Sequence, residues 1–378
     1  MSAPQGIEPM VSDWLHASAI SEGSDHVLAA ALVQASQVSQ DRRGRLSWLA
    51  AMNSLALPLL VATGAATVIA VAVVGIQPSS SASARVDGLW PTGPGVAFTA
   101  QLPPDAPEAI YWRVAMLDHW SESARVWRAS ALTRTSVEAG SPILNVASEP
   151  FADLIDITVT VLPGDSIGGA VSPGIPSTVD QPIEIESTGP GGSLARISLS
   201  RPRESYSVTG VQLAASAADL AAAGRDYPAE ILAQYATPPE DGELGDASLA
   251  FIRDIGAVAG DNPYRIASLM EERFRSPGFT YQTDMRNVDC AGRGVTECLM
   301  HVKRGFCMYY ATGMIMLLRQ QGIPARIVMG YLPGDRAGSI ETVRVENVHA
   351  WVEVFFPGWG WWTFDPTPRG AITIAPLP

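Results

Sequence analysis

Lys303-Arg304-Gly305-Phe306-Cys307-Met308-Tyr309-Tyr310-Ala311 decides how the chain is read, because it sets a thiol at the mouth of a helix. A mostly apolar run extends from Phe306 to Gln321, and Gly322 and Pro324 then stop it. Gly305 is read as the residue that lets the backbone turn tightly just before the helix. At a helix N-terminus the dipole and the N–H groups without intrahelical partners favour a thiolate. The same N–H groups can donate to an oxyanion.

Downstream, Ala325 to Tyr331 reads as a strand, and Pro333 to Glu341 as a polar loop. His349-Ala350-Trp351-Val352-Glu353-Val354-Phe355 reads as a strand that puts His349, Trp351, Glu353 and Phe355 on one face. Pro357-Gly358-Trp359-Gly360 is a turn, and the next strand ends at Asp365, before Pro366. His349 and Asp365 therefore belong to neighbouring antiparallel strands. Cys307, His349 and Asp365 have the residue types and chain order of a nucleophile, its base and the base's orienter. Each alone has a plainer reading: a buried thiol, a structural imidazole, a turn carboxylate. The joint pattern is the more specific one. His301 also lies near these segments; it can line the cleft, but a surface position is the preferred reading. No metal-ligand cluster is visible, and neither a metal nor a cofactor is expected.

Upstream of the thiol, Ser248 to Ala259 reads as a helix. Asp261-Asn262-Pro263 caps and opens another, reaching about Phe274 with Ile266, Leu269, Met270 and Phe274 on one face. Phe279-Thr280-Tyr281 is a short strand, and Thr283 to Cys298 a loop. The chain has three cysteines, Cys290, Cys298 and Cys307. Cys290 and Cys298 can pair across the loop in an oxidising compartment, leaving Cys307 reduced, or all three can stay as thiols.

From Val96 to Val211 short β-prone runs alternate with Gly, Pro and Ser clusters. Ile155 to Val161 alternates as a half-buried strand should. This segment reads as a sandwich-like β domain without a site, its Trp112, Trp120 and Trp127 serving as packing aromatics. Leu213 to Ala223 is Ala-rich and reads as a helix or an ordered connection.

No charged residue stands between Arg45 and Arg85, and Leu55 to Ile76 is apolar enough and long enough to cross a bilayer. Arg42, Arg43 and Arg45 precede it, so the positive-inside rule leaves the N-terminus cytoplasmic and the chain after about Pro78 outside. Ala82-Ser83-Ala84 resembles a signal-peptide cleavage site, but the apolar stretch is too long for a signal and lacks the polar face of a soluble helix. The net charge of −13, with no basic aromatic strip, argues against a nucleic-acid partner. The organisation expected is a cytoplasmic tail (1–45), a transmembrane helix (46–77), a linker (78–95), a β-rich extracytoplasmic domain (96–211), a connector (212–245) and a catalytic domain (246–378).

Gly305-Phe306-Cys307-x-x-Tyr310-Ala311, Gly322-Ile323-Pro324-Ala325-Arg326, Gly330-Tyr331, His349-Ala350-Trp351-Val352-Glu353 and Phe364-Asp365-Pro366-Thr367-Pro368 together resemble the core of bacterial transglutaminase-like proteins. The likeness runs from about Asn262 to Pro368. Tyr111-Trp112-Arg113 to Asp118 looks like the β-rich region before the core in the membrane-bound branch. The resemblance implies an α+β, papain-related fold with Cys307 as nucleophile, His349 as base and Asp365 as orienter. That branch usually carries several membrane helices before the core and one after it. This chain shows one apolar stretch and stops soon after Asp365, so it is read as a shortened form or part of a longer product. The expected activity is a membrane-anchored, extracytoplasmic thiol enzyme. It forms an acyl-thioester from a protein or peptide amide of the cell envelope and passes it to an amine or to water. The alternatives are a cysteine protease or amidase acting on envelope peptides and a non-catalytic envelope scaffold. A thiol redox protein built on Cys290 and Cys298 lacks the close Cys pair such chemistry uses.

Overall fold

Ile157, Val159 and Val161 are buried while Thr158 between them is exposed, so the cleanest alternation in the chain does form a half-buried strand. In the computed structural model the described residues are 83–368, apart from 87–89, 91–92, 131, 144–153, 164–169, 189–192, 203 and 241–242. The tail expected over 1–45, the membrane helix over 46–77, most of the 78–95 linker and residues 369–378 lie outside them. Among the described residues no helix is long and apolar enough to cross a membrane.

The described chain is α+β. Its first part holds the strands β1 (Ser83–Arg85), β2 (Val96–Gln101), β3 (Trp112–Leu117), β4 (His119–Ser121), β5 (Val126–Arg128), β6 (Leu132–Val137), β7 (Leu154–Pro163), β8 (Ile175–Val179), β9 (Ile183–Thr188), β10 (Ser193–Leu199) and β11 (Tyr206–Leu213). Four helices follow: α1 (Ala217–Ala222), α2 (Ala229–Tyr235), α3 (Asp246–Ala259) and α4 (Pro263–Arg275). Then come β12 (Thr280–Tyr281), α5 (Val295–Val302), β13 (Arg304–Gly305) and α6 (Cys307–Arg319). The chain closes with β14 (Ala325–Tyr331), β15 (Asp335–Ala337), β16 (Ile340–Arg344), β17 (Val348–Phe356) and β18 (Gly360–Phe364).

Both large sheets draw strands from the two segments expected as separate domains. The seven-stranded sheet has the order β18-β17-β14-β3-β10-β9-β6, and the six-stranded sheet β15-β16-β2-β7-β11-β8. The segments meet at β3–β14 in one sheet and at β2–β16 in the other, each pair antiparallel. The physical reason is the open edge: β3 and β2 present backbone N–H and C=O groups that β14 and β16 satisfy. At the first seam Tyr331 pairs with Trp112 and Gly330 with Arg113. A Cβ on Gly330 would come within 1.9 Å of the Trp112 carbonyl oxygen, so glycine permits this approach.

The helix that begins at Cys307 is the centre of the core. All its residues are buried, which suits its lack of a polar face. It packs on β14 and β17, with α4 and α5 against it. Met314, Ile315, Leu317 and Leu318 are fully buried, each of a kind worth roughly 1.5–3 kcal/mol when removed from water. Asn262 caps α4 by accepting from the Arg265 N–H at 3.1 Å, with Pro263 in the first turn, as its residues indicate. Along β17, Ala350, Val352, Val354 and Phe356 join the main core. Trp351 and Phe355 join a second cluster with Met116, Val328, Tyr235 and Trp361.

Three local expectations change. The loop expected from Thr283 to Cys298 gives way at Val295 to α5, whose first six residues are buried. The polar loop expected from Pro333 to Glu341 holds β15 and the start of β16, a hairpin that extends the six-stranded sheet. Gly305 is a strand residue paired with Tyr281, and the left-handed turn beside it falls on Lys303, φ 52°. What Gly305 provides is room: a Cβ there would lie 2.7 Å from Tyr309 Cβ.

Candidate active site

Cys307 is the first helical residue of α6, with Phe306 in extended conformation as its N-cap. It is 0% exposed. The first N–H groups of any α-helix lack intrahelical acceptors, so the polar end of this buried helix begins at the thiol. Residues 320–324 turn the chain from α6 back into β14. A thirteen-residue helix rises about 18–20 Å, and Ala325 to Gly330 spans about 16–17 Å. The two lengths bring Cys307 back to the end of the sheet where Gly330 pairs with His349.

Trp90 ties that end together. Its ring stacks on Phe306, with centroids 5.0 Å apart, and its Nε1–H donates to the Val348 carbonyl at 3.3 Å. One indole thus touches the residue before Cys307 and the residue before His349.

His349 is fully buried at the start of β17, and its Nε2 lies 2.9 Å from Asp365 Oδ2. Asp365 follows directly on β18, which pairs antiparallel with β17 so that Val352 faces Phe364. The hairpin read from the residues is therefore the device that joins imidazole to carboxylate. Asp365 accepts two further bonds: the Tyr111 hydroxyl donates to Oδ2 at 2.9 Å, and the Thr367 N–H donates to Oδ1 at 3.1 Å. Its own N–H donates to Glu271 Oε1 at 2.7 Å. Burial pushes the Glu271 carboxyl up, Arg275 and the Asp365 N–H pull it back, and the Asp365 charge adds to the upward push. Aromatic rings close the far side: Tyr111 meets Trp351 edge-on at 5.1 Å, and Trp351 stacks near His349 at 6.4 Å.

Beneath the site, Glu353 on β17 pairs with Arg113 from β3 and Arg326 from β14, all three buried. Arg326 Nε donates to Glu353 Oε2 at 2.8 Å, and Arg113 grips both carboxylate oxygens. Burial alone would raise the Glu353 carboxyl, but the two guanidinium groups outweigh it and hold it below the usual carboxylate range. Arg326 also lies over the Trp361 ring at 3.8 Å.

The structure brings His349 and Asp365 into direct contact and sets Cys307 at the same end of the sheet. Tyr111, Trp90 and Glu271 join this arrangement without having been read as site residues in the sequence. Tyr111 opens the Tyr-Trp-Arg run quoted above for its likeness to the β-rich region before the core, with no role at the site given to it, and nothing local marks Trp90 or Glu271. His301 is half-exposed and lies 3.1 Å from Glu297, away from these contacts. Cys290 and Cys298 form a disulfide, and Cys307 is reduced. Among the described residues no group of three or more His, Cys, Asp or Glu is arranged to hold a metal ion.

Residues 259–366 match the transglutaminase-like superfamily. The uncharacterised protein YebA of Bacillus subtilis is 39% identical over 114 residues, which are 28% of this chain and 16% of that protein. A protein-glutamine gamma-glutamyltransferase of Pseudomonas aeruginosa is 36% identical over 107 residues, again 28% of this chain and 16% of that protein. The matched part thus spans 16% of the length of these two relatives. The crystal structure of the periplasmic domain of TgpA from Pseudomonas aeruginosa superposes with a TM-score of 0.55 at 19% identity, covering 72% of this chain and 88% of that one. At that identity the likeness is one of fold.

Proposed function

From the premise that residues 259–366 are a transglutaminase-like domain, we propose that this chain is a membrane-anchored, extracytoplasmic thiol acyltransferase acting on protein or peptide amides of the cell envelope. The observation that carries it is the buried His349 Nε2 to Asp365 Oδ2 contact, at the sheet end where the Cys307 helix begins.

With Nε2 engaged by Asp365, Nδ1 is the ring nitrogen that takes the thiol proton. Cys307 Sγ attacks the amide carbonyl, and the helix N-terminus receives the oxyanion. His349 returns the proton to the leaving amine, the C–N bond breaks, and an acyl-thioester remains on Cys307. A primary amine then attacks the thioester carbonyl, loses its proton to His349, and frees the thiol as the new amide forms. The burial of Cys307 and His349 among Trp90, Phe306, Tyr111 and Trp351 favours an amine over water at that step. The apolar stretch from Leu55 to Ile76 supports the membrane anchor. The Cys290–Cys298 disulfide supports an oxidising compartment.

The test is turnover of a glutaminyl peptide with a fluorescent alkylamine by the full chain. Ammonia release with amine incorporation is expected, falling at least about a thousandfold in Cys307→Ala. Peptide cleavage without incorporation moves the assignment to a protease or amidase. No turnover, with a Cys307 ionisation indifferent to His349→Ala, leaves the scaffold reading.

A further inference from the structure

Three consecutive residues of the β-rich segment each donate to a carboxylate of the C-terminal segment. Tyr111 bonds Asp365, Trp112 Nε1–H bonds Glu341 Oε1 at 2.7 Å, and Arg113 bonds Glu353. Trp112 and Arg113 are buried and paired in register with Tyr331 and Gly330, so the backbone that carries Tyr111 is fixed on both faces of β3. The Tyr111 ring is held in turn by the edge-on contact with Trp351. Its hydroxyl reaches the same oxygen, Oδ2, that faces His349 Nε2.

We propose that Tyr111 is a positioning residue for the Cys307–His349 pair, acting through Asp365 Oδ2. The inference rests on the nucleophile–base reading above. An O–H donated to a carboxylate oxygen disperses its charge, and the imidazole shares that oxygen. Tyr111 thereby sets how strongly Asp365 stabilises the His349 imidazolium, and so the pH range in which imidazolium and Cys307 thiolate coexist. Asp365 meets His349 from β17, Tyr111 ahead of β3, Glu271 from α4 and the Thr367 N–H. Tyr111 brings a neutral hydroxyl donor to this group. It comes from outside the stretch matched to the transglutaminase-like superfamily, which begins at residue 259.

The test is the ionisation of Cys307 followed by thiolate absorbance near 240 nm, with Cys307→Ala subtracted; this needs neither substrate nor reagent access to a buried thiol. Wild type, Tyr111→Phe, Trp112→Phe, Asp365→Asn and His349→Ala full chains are compared, each checked for folding by near-ultraviolet circular dichroism. Phe keeps the ring against Trp351 and removes only the hydroxyl. Tyr111→Phe should move the thiolate transition about one pH unit lower, the size of one charge-assisted hydrogen bond. Trp112→Phe loses a bond on the same strand and should titrate as wild type. In the Asp365→Asn background, Tyr111→Phe should add nothing. A Tyr111→Phe curve that overlies wild type, or shifts upward, overturns the proposal. Wild type and His349→Ala curves that coincide remove the nucleophile–base reading beneath it; if those two separate while Tyr111→Phe overlies wild type, only the role of Tyr111 falls.

Discussion

Glu353 shows what one buried carboxylate does when two cations need it. Arg113 and Arg326 are buried with it and come from strands on either side of the seam, so its charge holds β3, β14 and β17 in one arrangement. Glu353→Gln keeps the shape and strands both guanidinium groups, a loss expected at about 3–5 kcal/mol at neutral pH, read from urea unfolding midpoints. Its folded pKa is lowered. The stability it contributes is therefore present above the ordinary carboxylate range and is lost as pH falls through the lowered folded value. The gap between wild type and Glu353→Gln should close across that acid window; a constant gap would mean that charge is not the cause. The placement of Cys307, His349 and Asp365 was legible in the sequence because each position is marked locally, by a helix start, a strand start and a hairpin end. Tyr111 was not, because its partner Asp365 lies 254 residues away and nothing near Tyr111 implies it.

At the scale of elements, pattern predicted what is decided locally. Ala325–Tyr331 stands at its expected bounds, and α4 starts at its Asn-Pro cap, because periodicity and capping are properties of neighbouring residues. The β15–β16 hairpin went unread because Asp335, Arg336 and Ala337 are exposed and carry no alternation; what makes Ile340–Arg344 a strand is β2, more than two hundred residues upstream. The helix α5 was hidden in the same way, its buried face specified by α3 and α6. Gly330 shows the same distance effect in a single element. Its hydrogen atom faces the Trp112 carbonyl across the seam, so Gly330→Ala should force β3 from β14 and cost about 3 kcal/mol or more. In a unit of this size that is a melting temperature lowered by about 5 °C or more. A variant that melts with wild type would show that the seam can yield.

At the scale of the whole molecule, the expected boundary between 211 and 246 runs through two continuous sheets. Fragment 246–378 would keep Cys307, His349 and Asp365 but lose β2 and β3, exposing the edges of β16 and β14 and removing both Arg113 and Tyr111. That fragment should lack cooperative thermal unfolding and bind a hydrophobic dye, whereas residues 83–378 should melt in one transition; a fragment that folds cooperatively by itself would refute the dependence. The seam also has a consequence in time. During synthesis β2 and β3 are made some two hundred residues before β16 and β14 exist. Each can pair early with its partner on one side, β7 or β10, while its other edge stays open. For that interval the nascent chain carries two unsatisfied strand templates, the condition under which chains pair with one another. The price of building one site from both ends of the chain is a folding pathway that must shelter its first half until its last strands arrive.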